Sequence, residues 1–146
     1  MSILKKILLG LGVIFMGIQA YPYGRTHSNP NFNAEPTWRS PEDRALVERA
    51  CFACHSNLTK WPWYSNVAPV SWLVQHDTEE GRKRLNFSEW DRPQKNILNA
   101  SEELDEGKMP IPNYVFMHSE AKLSPAEKET LENILNDLAA KMNFGS

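Results

Sequence analysis

Cysteine is scarce in this chain: 146 residues hold two, Cys51 and Cys54, both in one pentapeptide. A redox pair of the thioredoxin kind needs a strand and crossover-helix setting, and no period-two alternation of apolar residues flanks this one. Half of a zinc site needs a second half, but there is no other CxxC, and His27, His55, His76 and His118 form no H-x3-5-H pair. Repeats and low-complexity blocks are absent too, which leaves no repeat architecture to consider. Charge of one sign is lacking. The formal net charge is −2, and setting aside the first 24 residues, which hold Lys5 and Lys6 and no acid, takes it to −4. Such a balance makes no surface for polyanions, and nucleic acid is not an expected partner.

One long apolar run occurs, from Ile7 to Ala20, and it follows Lys5 and Lys6. Positive charge ahead of an apolar run keeps that end in the cytoplasm and sends the downstream chain across the membrane. Residues 1–24 therefore read as a signal peptide or signal anchor, and the rest as extracytoplasmic, on the periplasmic side of a bacterial inner membrane. The run suits a cleavable signal in length. Ala20 is an acceptable residue before a cut, but Ile18 is too bulky for the small-x-small pattern. Counted through Tyr23, with Tyr21 and Tyr23 as interfacial aromatics, the stretch is just long enough to span, and this favours a retained anchor.

The pentapeptide reads Cys51-Phe52-Ala53-Cys54-His55. A histidine directly after CxxC is the pattern of c-type haem attachment: two thiols add across the vinyl groups of one porphyrin, and the adjacent imidazole ligates the iron. On a helix, positions 51, 54 and 55 stand at i, i+3 and i+4 and face one way. A structural disulfide is the plainer alternative in an oxidising compartment.

Residues 25–39 are polar, contain Asn29-Pro30 and Glu35-Pro36, and read as a linker; Phe32 and Trp38 are the anchors if it packs instead as an ordered arm. Residues 40–146 form the domain. Ser40-Pro41-Glu42-Asp43 starts a helix with a hydroxyl cap, proline at the first position and acids in the first turn, and Leu46, Val47 and Ala50 carry its stripe into Cys51. The loop from Ser56 to Pro69 holds Trp61, Trp63 and Tyr64. That much ring surface must be buried, and a porphyrin face offers a place for at least one of them. A second helix runs from Val70 to Glu80, with Trp72, Leu73 and His76 at helical spacing and Gly81 closing it. Arg82, Lys83 and Arg84 read as a solvated basic turn; the alternative is that one of them pairs with a haem propionate. Asn86 or Ser88 caps a third helix holding Trp90, Ile97, Leu98 and Leu104. Acids at 102, 103, 105 and 106 oppose the dipole there: either the helix stops near Ala100, or they form a docking surface, or they simply solvate that face. Ser124-Pro125-Ala126-Glu127 is a capping box that opens a last amphipathic helix through Leu131, Ile134, Leu135, Leu138 and Met142.

Met109 stands in Gly107-Lys108-Met109-Pro110-Ile111-Pro112, where two prolines stiffen the chain. Its thioether is a soft ligand suited to haem iron; His76, Met117 and His118 are the other candidates for that position, and an open site is the remaining one. Tyr114 to Met117 reads as a short apolar segment buried beside the cofactor's edge.

The runs Cys51-x-x-Cys54-His55-Ser56-Asn57, Thr59-Lys60-Trp61-Pro62-Trp63-Tyr64-Ser65 and Ala68-Pro69-Val70-Ser71-Trp72-Leu73 resemble the haem-binding domain family of bacterial cytochrome c-like proteins, as do Gly81-Arg82 with Leu85-Asn86-Phe87-Ser88, Met109-Pro110 and Leu123-Ser124-Pro125-Ala126-Glu127. The resemblance implies an all-α, cytochrome c-like fold of about four helices and long loops around one covalent haem c, with an N-terminal hydrophobic helix. It also implies a last helix packed across the first helix of the domain, and Met109 as distal ligand. The expected cofactor-binding residues are Cys51, Cys54, His55, Met109, Trp61, Trp63, Tyr64 and Trp72, with His55 and Met109 on the metal. The expected role is one-electron transfer between transient redox partners, with no catalysis and a membrane tether. A haem enzyme or gas-binding protein with an open distal site, or a haem-dependent subunit of a membrane assembly, is the alternative. Loops this long are hard to stabilise without the porphyrin as core, so the apo-protein is expected to fold poorly.

Overall fold

The computed structural model describes residues 2–144. Six α-helices follow one another: α1 (Ile3–Ile18), α2 (Pro41–His55), α3 (Val70–Arg84), α4 (Ile97–Asp105), α5 (Pro112–Met117) and α6 (Pro125–Phe144), with short 3-10 turns at Trp63–Asn66 and Ser119–Ala121. No β-strand occurs among the described residues, and the class is all-α as expected. The chain divides into two units, one made of residues up to 28 together with 60–79, the other of 29–59 and everything from 80 onward.

In the first unit, Ser2 caps α1 by accepting from the Lys5 N–H. No residue of α1 is buried, and its apolar side chains face outward on every side. Among the described residues no helix is long and apolar enough to cross a membrane. The helix stops at Ile18, short of Tyr23, and its 16 residues rise only ~24 Å against a hydrocarbon core of ~30 Å. Beyond it the chain turns back on the loop at 60–69. Gln19 Nε2 donates to the Ala68 carbonyl at 3.0 Å and Gln19 Oε1 accepts from the Ala68 N–H at 3.0 Å. Gly24, at φ +85, passes so close to α3 that a Cβ there would lie 2.3 Å from the Ser71 carbonyl oxygen, so only glycine fits. His27 stacks on Trp61 at 4.7 Å and donates from Nε2 to the Ser65 carbonyl.

The second unit holds the core. Val47, Ala50 and Phe52 of α2, Leu85 and Phe87 after α3, Ile97 and Leu104 of α4, and Leu131, Ile134, Leu135 and Leu138 of α6 form one buried cluster. Helix α6 packs along α4 and also against α2, the last-on-first contact that the resemblance implied. Ser40 caps α2 by accepting from the Asp43 N–H at 3.1 Å, and Ser124 and Glu127 form the reciprocal box at the start of α6. Residues 29–39, a linker by their sequence, are laid as an arm along residues 88–90: Trp90 N–H donates to the Ala34 carbonyl and Ala34 N–H to that of Ser88. Trp38 anchors the arm among the Phe52 and Phe87 rings, while Phe32 is half exposed.

Four expectations need correction here. Gly81 does not end α3, which runs on to Arg84. Asn86 and Ser88 cap no helix. They sit in a buried polar knot, in which Asn86 Nδ2 donates to Asn57 Oδ1, Asn57 N–H to Ser88 Oγ, and Gln94 Oε1 accepts from Asn86 N–H. The knot satisfies the backbone so well that the chain stays irregular until Ile97. From there α4 runs through the acids to Asp105, because Lys108 pairs with Glu103 and Glu106, and Lys128 with Asp105, offsetting the dipole. Finally, Tyr114 to Met117 lie in α5, which buries no residue; Phe116 is 88 % exposed.

Candidate functional site

A cavity of about 210 Å³ opens inside the second unit. Voids in packed interiors rarely exceed one water, so this is space for a ligand rather than a packing defect. Ala50, Cys51 and His55 of α2 line it, with Leu85 and Phe87, Leu104 and the polar Asn96, Asn99 and Glu103 of α4 and the turn before it, Leu131 and Leu135 of α6, and Met109 and Pro110.

His55 is the last residue of α2. Its Nδ1 lies 3.0 Å from the Gly81 carbonyl and 3.0 Å from that of Leu85. Carbonyls only accept, so Nδ1 carries the proton and the lone pair of the neutral ring falls to Nε2. Burial lowers the His55 pKa; the two carbonyls work against this without cancelling it, and the Arg84 guanidinium adds to the lowering. The imidazole is thus held neutral and oriented, as a metal ligand must be. The His55 carbonyl in turn accepts from the Phe87 N–H at 2.8 Å, which fixes the chain after the pentapeptide.

Gly81 explains how α3 reaches this ring. A Cβ at 81 would lie 2.4 Å from the Cys54 carbonyl oxygen and 3.0 Å from Cys54 Cβ. The absent side chain lets the end of α3 lie directly on the CxxCH turn. Sequence reasoning gives Gly81 the commoner meaning of a glycine there, a helix stop, and so misses this role. Arg82 locks the same junction from outside, donating to the Ser56 carbonyl, Asn29 Oδ1 and Thr59 Oγ1.

Cys51 is half-buried as a residue, yet its thiol is desolvated enough, with the Cys54 sulfur as a second and like-charged neighbour, to be pushed up to about 12. A redox-active pair needs a depressed value. Both cysteines are thiols rather than a disulfide. Cys54 stands one turn on, where Gly81 crosses, and is not among the cavity's lining residues.

Met109 enters the cavity from a turn of defined geometry. Helix α4 ends with Gly107 at φ +70, its N–H bonded to the Leu104 carbonyl, while the N–H groups of Lys108 and Met109 both reach that of Glu103. This is a Schellman closure, and it directs the chain back over the helix end. Met109 remains 38 % exposed. The other candidates for the same role stand elsewhere. His76 belongs to the first unit and pairs with Asp77; Met117 is exposed on α5; His118 stacks on Tyr114 and bonds Glu120.

Of the remaining expected residues, Trp61, Trp63, Tyr64 and Trp72 belong to the first unit and are not among the residues that line this cavity. Trp61 stacks on His27, Trp72 takes the Tyr21 ring edge-on, and Trp63 meets Tyr64 and is otherwise 77 % exposed. Of the three basic residues after Gly81, Arg84 alone lines the cavity. Asn96, Asn99 and Glu103 were not anticipated; nothing in their spacing sets them apart from an ordinary polar helix face.

The donor set fits an iron porphyrin: a neutral imidazole with Nε2 unprotonated, two thiols on the same helix end, a thioether from the α4 closure, apolar walls, and one guanidinium suited to a carboxylate. No curated protein and no solved structure matches the chain. The model of the haem-binding domain family matches residues 13–137, which is most of the chain and takes in both units. The chain therefore belongs to the haem-binding domain family, and its cofactor is haem.

Proposed function

We propose that this haem protein is an exported, single-haem c-type cytochrome that passes one electron at a time between redox proteins it meets in brief contacts. The observation that carries the reading is the pinning of His55 Nδ1 by two backbone carbonyls in a cavity that Cys51 and Met109 also line. Bound haem supplies a one-electron ferric/ferrous couple.

The residues of the chain do the rest. Cys51 and Cys54 hold the group by thioether bonds at the end of α2. His55, its ring held in place, would ligate the iron through Nε2, and the Gly81 and Leu85 carbonyls would strengthen it as a donor by accepting the hydrogen bond from Nδ1–H. Met109 offers the sulfur that moves a haem into the potential range of electron carriers. Leu85, Phe87, Leu131 and Leu135 keep water from the iron's surroundings, a second control on potential. No step asks the protein for a general acid or base. Contacts with partners are small and short-lived, as electron transfer favours.

The test is spectroscopic. The purified protein should carry one porphyrin mass that survives denaturation, and its ferric form should show the weak long-wavelength band of methionine sulfur on iron. Met109→Ala should remove that band and Met117→Ala should leave it. A high-spin ferric spectrum in the unaltered protein would favour the open-site enzyme or gas-binding reading instead.

A further inference from the structure

The apolar N-terminal helix has the composition of a disposable leader, yet the chain just after it is built into the first unit. A cut after Ala20, the acceptable cleavage position, would carry off Gln19. Three hydrogen bonds would go with it: the reciprocal pair with Ala68, and the bond from Arg25 to Gln19 Oε1 at 3.0 Å. Ala68 is fully buried, so its N–H and carbonyl would lose their partners where water cannot replace them. The residues just beyond are equally committed. Tyr21 packs on Trp72, Gly24 lies on Ser71, and Tyr23 donates to Glu79. The family match points the same way, since it begins at residue 13, within α1.

What covers the helix can be argued from its circumference. Ile7, Leu8, Leu9, Leu11, Val13 and Ile14 are all exposed, at positions that sample every side of the helix. A protein groove needs an apolar stripe with a polar back, whereas a helix apolar all round suits a solvent of hydrocarbon. Lys5 and Lys6 lie at one end and the exposed Tyr21 just past the other, the residue types that settle at lipid interfaces. We propose that α1 stays in the mature protein, embedded in the lipid bilayer, its short length met by local thinning of the bilayer and by snorkelling of Lys5 and Lys6 rather than by a full apolar span, and that Gln19 is the clamp that joins it to the folded unit. The proposal rests on the export reading only for the side of the membrane, and not on haem at all.

The full chain, expressed with haem maturation in an exporting bacterium, decides the matter. Expected are an intact mass that includes residues up to Ala20, recovery in the membrane fraction that resists salt and carbonate but yields to detergent, and flotation of the purified protein with phosphatidylethanolamine/phosphatidylglycerol vesicles. A mature amino terminus at Tyr21, or a full-length soluble product, overturns retention. A detergent-free dimer that ignores vesicles overturns lipid as the occupant. Protease added to spheroplasts reports export separately: a retained but protected domain would sink the export reading and leave the clamp standing. For the clamp itself, Gln19→Ala should speed hydrogen exchange at the Ala68 amide at least tenfold, and Gln19→Glu, which keeps an acceptor for it, should hold protection near that of the unaltered protein. Equal exchange in all three overturns the clamp.

Discussion

The two units bury different things. Every large apolar side chain that is fully buried among the described residues belongs to the second unit, which closes over the cavity with α2, α4 and α6. The first unit buries Gly24 and Ala68 and, besides them, the polar Ser65, Ser71, Gln75 and Thr78. Ser71 Oγ, Trp72 Nε1, Gln75 Oε1 and Arg25 Nε are buried there without a hydrogen-bond partner. Hydrophobic burial is non-directional and forgiving, while buried polar atoms must be matched one by one. The second unit is therefore expected to depend on what fills its cavity, and the first on a few specific bonds such as those of Gln19.

Emptying the cavity for good is the most severe way to break this contrast. Cys51→Ser together with Cys54→Ser removes both thiols that the proposed cytochrome would use as tethers. At ~24 cal/mol per Å³ of residual void, a cavity of about 210 Å³ costs at most ~5 kcal/mol, comparable with the whole stability of a small domain. The doubly substituted protein should retain no porphyrin after denaturation and should melt well below the unaltered protein and over a broader range, measured by circular dichroism. Exchange protection at the Ala68 amide, which rests on Gln19, should fall less than that of α6. A sharp, unshifted melt would mean that the second unit needs no filling.

Gly81 and Gly107 sharpen the same contrast within the second unit. Alanine at 81 meets the Cys54 backbone at 2.4 Å, and neither backbone can yield cheaply. Overpacking of this kind costs ~1–3 kcal/mol, and it pushes the Gly81 carbonyl away from His55. Gly81→Ala should therefore lower both melting temperature and haem retention. Gly107 has open space around it, and its φ of +70 is the only obstacle to a side chain. Gly107→Ala should cost ~1 kcal/mol, while Gly107→Asn, which tolerates that conformation, should cost less; in both, the Met109 band is the sensitive readout.

Much of this site was legible in the sequence because the chemistry is local. The pentapeptide, the Ser40 cap and the Ser124 box each carry their meaning within five residues, and the structure puts Cys51, His55 and Met109 on one cavity. What was not legible is long-range. The partners of His55 come from residues 26 and 30 positions away, and they are carbonyls, which every residue has. Gly81 carries two meanings, helix stop and close approach, and only the crossing of α3 over α2 selects the second. The turn at 86–96 defeated the cap reading because Asn57 engages the Ser88 hydroxyl and the Asn86 amide that would have capped, while Gln94 takes the Asn86 N–H. Apolar runs mislead in the same way: Tyr114 to Met117 has core composition and an exposed position.

Acid should act on the second unit through His55. Its pKa in the fold lies below the ordinary 6.5 because burial disfavours the charged ring. Between those two values the unfolded chain binds a proton that the folded one refuses, so stability is full above about 6.5 and falls as pH drops through the folded value. Glu35, which burial raises but hydrogen bonds from Arg44 and Trp38 bring down below the usual carboxylate range, and Glu89, lowered chiefly by Arg92, add a further loss at lower pH, in the same direction. Urea melts of the haem-free protein across this range should show the midpoint falling on acidification. His55→Gln should remove the upper part of that fall and leave the lower part. An unchanged upper limb would detach it from His55.

The smallest expected effect is at Trp63, in the aromatic loop whose sequence suggests a porphyrin wall. Its ring is 77 % exposed and meets Tyr64 edge-on, within a unit whose buried side chains are mostly polar. Exposed substitutions away from caps and buried networks stay within about 0.5 kcal/mol. Trp63→Ala should therefore leave the melt and the haem absorption bands where they are, whereas Phe87→Ala, which opens both the core and the cavity wall, should shift both. Equal shifts from the two would mean that the loop at 60–69 closes on the haem after all, and the division of labour between the units would then have to be drawn on the other side of that loop.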